Sequence, residues 1–267
     1  MSNAHIHDEL HRFVFDLNQQ SLIQPENGLD EIWQKIIDDV RDYDARTSNP
    51  WYPEDAPPQG YSLVQSDRPD IVYENESFIM GIECLEFDAS KKTRKGSKQQ
   101  QKEQEADREI REEYLQSTVP KGSFLSIERL VDVELSAKNY YESLFLNYKT
   151  HADSIDEYKY NLSQMAPGKK VFLTFFIKDV TAIGNYVEEG GKAEALNPLR
   201  LPLVLGLLAS TSGLDYVIFR TTDGYVPFLR IQAVSIPLMK NLRKKCYGMD
   251  AKFIPYQYKR EVHFWGR

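Results

Sequence analysis

The sequence is poor in the residues that announce the commonest chemistries. It has two cysteines in 267 residues, Cys84 and Cys246, which excludes a disulfide-stapled scaffold and any paired Cys-x-x-Cys metal or redox motif. Cys84 lies in an apolar strand and reads as a buried free thiol in a reducing compartment. No apolar run approaches the roughly 18 residues that a membrane span needs. The longest, "LPLVLGLLA" from Leu201 to Ala209, has the length of a core helix. The opening "MSNAHIHDELHRF" has neither the basic nor the apolar region of a signal peptide, so the expectation is a soluble, cytoplasmic protein with no membrane partner. There is no phosphate-binding glycine loop, dinucleotide fingerprint or serine elbow, which removes several common enzyme classes. His7 and His11 stand four apart, as zinc ligands on a helix would, but Asp8 occupies the place where the zinc-protease pattern requires glutamate. Zinc catalysis is not expected there, and His151 and His263 show no partner in the sequence.

What is present is ordinary in bulk and informative in pattern. The chain is 41% hydrophobic, 12% aromatic and 27% charged, with a net charge of −7. That suits one large domain spanning residues 1–267 and argues against a protein coated with nucleic acid, although a local basic patch overrides a global balance. In Leu29–Arg46 the residues Leu29, Ile32, Trp33, Ile36, Ile37, Val40 and Tyr43 draw one stripe at helical spacing. A shorter helix precedes it, with Leu10, Phe13, Val14 and Leu17 inward. Residues 47–60, "TSNPWYPEDAPPQG", carry four prolines and a glycine and form an irregular loop, packed down by Trp51 and Tyr52. The segment 91–116 starts as a basic loop and continues from Ser97 to Gln116 as a helix that is polar on every side. Such a helix is a solvated arm or docks through its charges. A further helical region is expected over Ser126–Lys149 and a short helix over Ser154–Leu162. "VFLTFFIKD" is apolar on both faces and reads as a central strand. Leu199–Ser210 is a buried helix disturbed at Pro202. "DYVIFRTTDGYVPFLRIQAV" is a hairpin turning at Asp223-Gly224, "PLMKNLRKKC" a short basic helix, and "KFIPYQYKREVHFW" a final strand. The order predicts an α/β protein with a mixed central sheet flanked by helices.

The stretch "RPDIVYENESFIMGIECLEFDASKK", Arg68 to Lys92, sets a chemical problem. It reads as two buried strands joined by a tight turn, yet it carries Asp70, Glu83 and Glu86. With a turn at Asn75-Glu76, or over Glu74–Ser77, Tyr73 pairs with Phe78 and Asp70 with Gly81. Glu83 then lies diagonally from Asp70, about 7–8 Å away on one face. Leu85 and Phe87 share that face, while Cys84, Glu86 and Asp88 point to the other. A three-residue turn or a bulge would exchange the faces. Buried carboxylates are costly unless hydrogen-bonded or metal-bound. Asp70 is thus either hydrogen-bonded to local backbone or a ligand, and Glu83 either the partner of a cation from another element or a ligand.

Pro69-Asp70, a hairpin of about a dozen residues and the acid of "GIECLEF" resemble the PD-(D/E)xK, or restriction-endonuclease-like, nuclease superfamily. The resemblance implies an αβββαβ core with added helices, and phosphodiester hydrolysis in DNA or RNA. Asp70 and Glu83 would hold Mg²⁺, supported by an acid from the preceding helix, such as Glu31, Asp38 or Asp39. The family's lysine belongs two residues after the second acid, where this chain has Leu85. Lys91, Lys92 and Lys95 are the candidates to replace it. The basic run Lys91, Lys92, Arg94, Lys95 and Lys98 is either a grip on phosphates or a solvated loop. The sequence therefore supports two readings, a metal-dependent nuclease or a nuclease fold without its chemistry that binds nucleic acid or a protein partner. Degenerate folds of the second kind are met among immunity and defence proteins.

Overall fold

The computed structural model describes residues 10, 13–14, 31–47, 60–89, 92–93, 96–133, 137–181, 186–223, 228–235, 246–248, 251–254 and 256–266. The two-histidine segment, Leu17, Trp51 and Tyr52, Lys91, Arg94 and Lys95, and nearly all of the expected basic helix near the C-terminus lie outside these residues. The helix read over Leu29–Arg46 is α1, Glu31–Thr47. It buries Trp33, Ile36, Ile37 and Val40, the residues its spacing put on one stripe. Three strands follow: β1 Tyr61–Gln65, β2 Ile71–Asn75 and β3 Phe78–Phe87. Short β4 (Lys92–Thr93) and β5 (Gly96–Ser97) pair with each other and lead into α2, Lys98–Gln116. After α2 come β6 (Phe124–Val133), α3 (Ala137–Ala152), α4 (Ile155–Met165) and β7 (Lys170–Asp179). The remainder comprises β8 Tyr186–Glu189, β9 Lys192–Ala195, a 3₁₀ turn at Pro198–Arg200, α5 Pro202–Ser210, β10 Tyr216–Asp223, β11 Phe228–Ser235, β12 Lys252–Phe253 and β13 Tyr256–Trp265.

A six-stranded mixed sheet in the order β1-β2-β3-β7-β10-β11 forms the centre. Strands β1 to β3 are an antiparallel meander, β3, β7 and β10 run parallel, and β11 returns antiparallel. Strand β7 is central as its two-faced apolar sequence requires, with Phe172 to Asp179 all buried. One sheet face packs under α1 together with Leu10, Phe13 and Val14. Phe13 meets Phe176 edge-on at 5.3 Å. The other face packs under α3, α4 and α5, through residues that include Tyr148, Tyr158, Leu162 and Leu205.

One expectation needs correction, and one pair of alternatives is decided. The helix read over Ser126–Lys149 starts only at Ala137. The preceding residues are strand β6, in which buried Ile127 and Val131 alternate with exposed Ser126, Glu128 and Leu130. That period of two is a strand signal, and ten residue pairs with β13 complete the ladder. Helix α2 is not a solvated arm. It buries Ala106 and Ile110 and docks on the β6–β13 ribbon through charges and one ring stack. Arg129 of β6 bridges Glu109 and Glu113, and Arg260 of β13 pairs with Asp107 at 2.9 Å. Tyr114 stacks on Phe264 at 4.0 Å.

The central hairpin also differs in register. Ile71 pairs with Ile82, Val72 with Gly81, Tyr73 with Met80 and Glu74 with Ile79, a shift of two residues from the expected pairing. The cause is the turn. Asn75 Oδ1 accepts hydrogen bonds from Ser77 N at 2.8 Å and Phe78 N at 3.0 Å, which ends pairing at Glu74 and opens a four-residue loop. An even shift preserves the faces. Leu85 and Phe87 lie under the α3–α5 layer and Cys84 under α1.

Candidate functional site

The shift in register sets the two acids side by side. Asp70 directly precedes β2, and continuing the ladder one step places it across from Glu83 rather than diagonal to it. Pro69 locks this corner: it lies against β3 so closely that a Cβ on Gly81 would come within 2.4 Å of its Cγ and 2.8 Å of Leu162 Cδ1. Only glycine fits there, and Gly81 is thus part of how Asp70 is aimed.

The carboxylates are occupied by the protein itself. Glu83 is 5% exposed. Its Oε1 accepts from Tyr158 Oη at 2.8 Å and sits 2.7 Å from His151 Nδ1, while Oε2 accepts from the Asp70 amide at 3.3 Å. Asp70 Oδ2 accepts from the Cys84 amide at 2.7 Å. Burial, reinforced by the charge of Glu83 and the hydrogen bond to it, pushes the Tyr158 phenol above its ordinary range, so the hydroxyl stays a neutral donor. His151 comes from the last turn of α3 and Tyr158 from the first turns of α4. The cluster is therefore where two helices meet the β2–β3 corner. Sequence reasoning missed both partners. Tyr158 was within reach, because Ile155, Tyr158 and Leu162 form a buried stripe at helical spacing. No pattern marks His151.

The described acids of α1 do not join this cluster. Asp39 of α1 accepts from Tyr73 Oη at 2.5 Å and pairs with Lys35 at 3.1 Å. It thus serves the α1 side of the sheet, opposite Glu83, which corrects the expectation of a supporting acid from that helix. Asp38 is exposed and accepts from Gln34 at 3.0 Å, and Glu31 is exposed as well. Lys92 lies in β4 and Lys98 opens α2.

A Mg²⁺ ion prefers free oxygen ligands at short, near-octahedral distances. The oxygens of Glu83 already take a phenol, an imidazole and an amide, and Asp70 takes an amide. An ion at this corner would share Glu83 with three groups already in place. Among the described residues, no group of three or more His, Cys, Asp or Glu side chains is placed to hold a metal. Beside the cluster an open groove of about 650 Å³ is lined by Ser66, Asp67, Arg68, Glu157, Asn161, Gln164 and Met165. Arg68 and Glu157 pair across it at 3.2 Å. The described helices include none long and apolar enough to cross a membrane. No family model matches the chain, and neither a curated protein nor a solved structure shows significant similarity to it.

Proposed function

We propose that this chain is a non-catalytic binding module, a nuclease-type α/β core whose acidic corner has become structural and whose surface recognises a protein partner or nucleic acid. The observation that carries the reading is the state of Glu83. A carboxylate poised to ligate a metal keeps lone pairs available, and this one is 5% exposed with both oxygens engaged by Tyr158, His151 and the Asp70 amide. Leu85, under the α3–α5 layer, occupies the place of the family's lysine. The nuclease ancestry draws support from the order of elements, in which α1, β1, β2, β3, the helices α3 and α4, and β7 follow the αβββαβ sequence once β4, β5, α2 and β6 are set aside as insertions. The groove at Arg68 and Glu157, next to the cluster, offers charges of both signs and amide side chains to a partner.

A second reading, a metal-dependent nuclease acting on DNA or RNA, is favoured by one observation, the direct apposition of Asp70 and Glu83. It requires Tyr158 and His151 to release Glu83. A melt titration of wild type and Asp70→Ala with Mg²⁺ and Mn²⁺, beside cleavage assays on plasmid, single-stranded DNA and RNA, separates the two. The binding module gives no metal-dependent shift and no cutting. A metal shift that disappears in Asp70→Ala, together with cutting, overturns it in favour of the nuclease.

A further inference from the structure

A second polar feature lies on the opposite face of the sheet. Near the carboxyl ends of the parallel strands, Glu86 of β3 pairs in register with Lys178 of β7, and Lys178 with Arg220 of β10. Register partners share a face, so the three side chains form one row across the sheet. By the alternation of Cys84, Phe176 and Ile218, one row further in, that face is the one under α1.

Lys178 is the anomaly in this row. It is 2% exposed, and the polar contact it makes among the described residues is Glu86 Oε1 at 3.5 Å. Its ammonium also lies 5.6 Å from the centroid of the Phe176 ring. An ammonium brings three donors, a contact of 3.5 Å is at the far limit of a hydrogen bond, and a buried charge without close partners is expensive. The Glu86 side chain is 50% exposed, so this acid reaches in from the solvent edge. Arg220, next in the row, is half-buried and brings a guanidinium fork of the shape that grips phosphate oxygens. The carboxyl ends of parallel strands are where open α/β sheets hold their ligands.

We propose that Lys178 and Arg220 form a phosphate-binding site at the carboxyl edge of the parallel strands, with Glu86 as a resident counter-anion that the ligand's phosphate displaces. The ligand is a phosphate group, borne either by a nucleotide-sized molecule or by a nucleic-acid backbone. The site is independent of the Asp70–Glu83 corner, which lies on the other face, and it stands or falls separately from the reading of that corner.

The test uses the full chain at constant ionic strength, with chloride as the reference anion. Inorganic phosphate, a mononucleotide and a single-stranded oligonucleotide are titrated by calorimetry and by thermal melt. Wild type is expected to prefer phosphate over chloride. Lys178→Met, which replaces the buried cation with an apolar side chain of similar length and should fold, is expected to bind at least about tenfold more weakly. Glu86→Gln removes the competing carboxylate and is expected to bind phosphate several-fold more tightly, while Asp70→Ala binds as wild type does. An oligonucleotide that outbinds the mononucleotide identifies a nucleic-acid ligand, and equal affinity identifies a small phosphorylated one. No preference for any phosphate compound over chloride overturns the proposal, as does unchanged affinity in Lys178→Met. Should Lys178→Met fail to fold, Glu86→Gln decides: affinity no higher than wild type overturns the proposal.

Discussion

Replacing Glu83 by glutamine asks whether the acidic corner is a structural joint or a held-apart pair of metal ligands. The exchange keeps shape and volume and removes the charge. Glutamine retains one acceptor, and with that oxygen kept toward Tyr158 its NH₂ faces the Asp70 amide, which also donates. Three contacts are at stake, from Tyr158 at 2.8 Å, His151 at 2.7 Å and Asp70 N at 3.3 Å. Hydrogen bonds to a charged group contribute about 1.5–3 kcal/mol each, and a buried donor left unpaired costs about 1–3 kcal/mol. A net loss of about 3 kcal/mol is expected for Glu83→Gln, which for a chain of this size lowers Tm by roughly 6–10 °C. Tyr158→Phe removes one of the contacts and is expected to cost about 1.5 kcal/mol. Because the two residues touch, the double variant should fall short of the sum by about 1 kcal/mol. Urea and thermal unfolding followed by circular dichroism measure all three. If Asp70 and Glu83 were instead two mutually repelling acids awaiting a cation, removing one charge would stabilise the apo protein. A Glu83→Gln variant as stable as wild type, or more so, refutes the structural account.

Two further outcomes follow from the same packing. Gly81→Ala places a methyl group within 2.4 Å of Pro69 Cγ and 2.8 Å of Leu162 Cδ1, and this overpacking should cost about 1–3 kcal/mol while displacing the Pro69-Asp70 corner; a variant with wild-type urea midpoint contradicts the contact. At high pH, burial holds the phenols of Tyr61, Tyr73 and Tyr158 above their ordinary range and pushes Tyr148 up to about 12. Because the folded state keeps these protons, the stability they confer is fully present below the unfolded tyrosine value of about 10 and is lost as pH rises from there toward the folded values. Absorbance at 295 nm should therefore report these tyrosinates only together with loss of the far-ultraviolet signal, and their appearance near pH 10 in a folded chain would contradict it.

Much of the fold was legible where a local pattern decides structure. Helix α1 follows from its apolar stripe, and β7 from a run apolar on both faces. Cys84 and Leu85 fall on opposite faces of β3 because a period of two survives any even change of register. The exact register did not follow, because it is set by the Asn75 side chain capping the turn at Ser77 and Phe78. Strand β6 read as part of a helix because its ladder partner, β13, lies more than a hundred residues on. For α2 the sequence left a solvated arm and docking through charges both open, because two small contacts, Ala106 and Ile110, leave no stripe, and the rest of its docking is charge and one ring stack.

By itself, then, the sequence determined helix α1, the centrality of β7 and the presence of acids on a buried hairpin, since each depends on neighbours a few residues apart. Only the tertiary structure decided what those acids do. His151 and Tyr158 reach Glu83 across 68 and 75 residues of chain, and Lys178 meets Glu86 across 92. Contacts of that span are made by the stacking of whole elements, which no local periodicity encodes. The same carboxylate is a metal ligand or a structural acceptor according to which donors that stacking delivers to it.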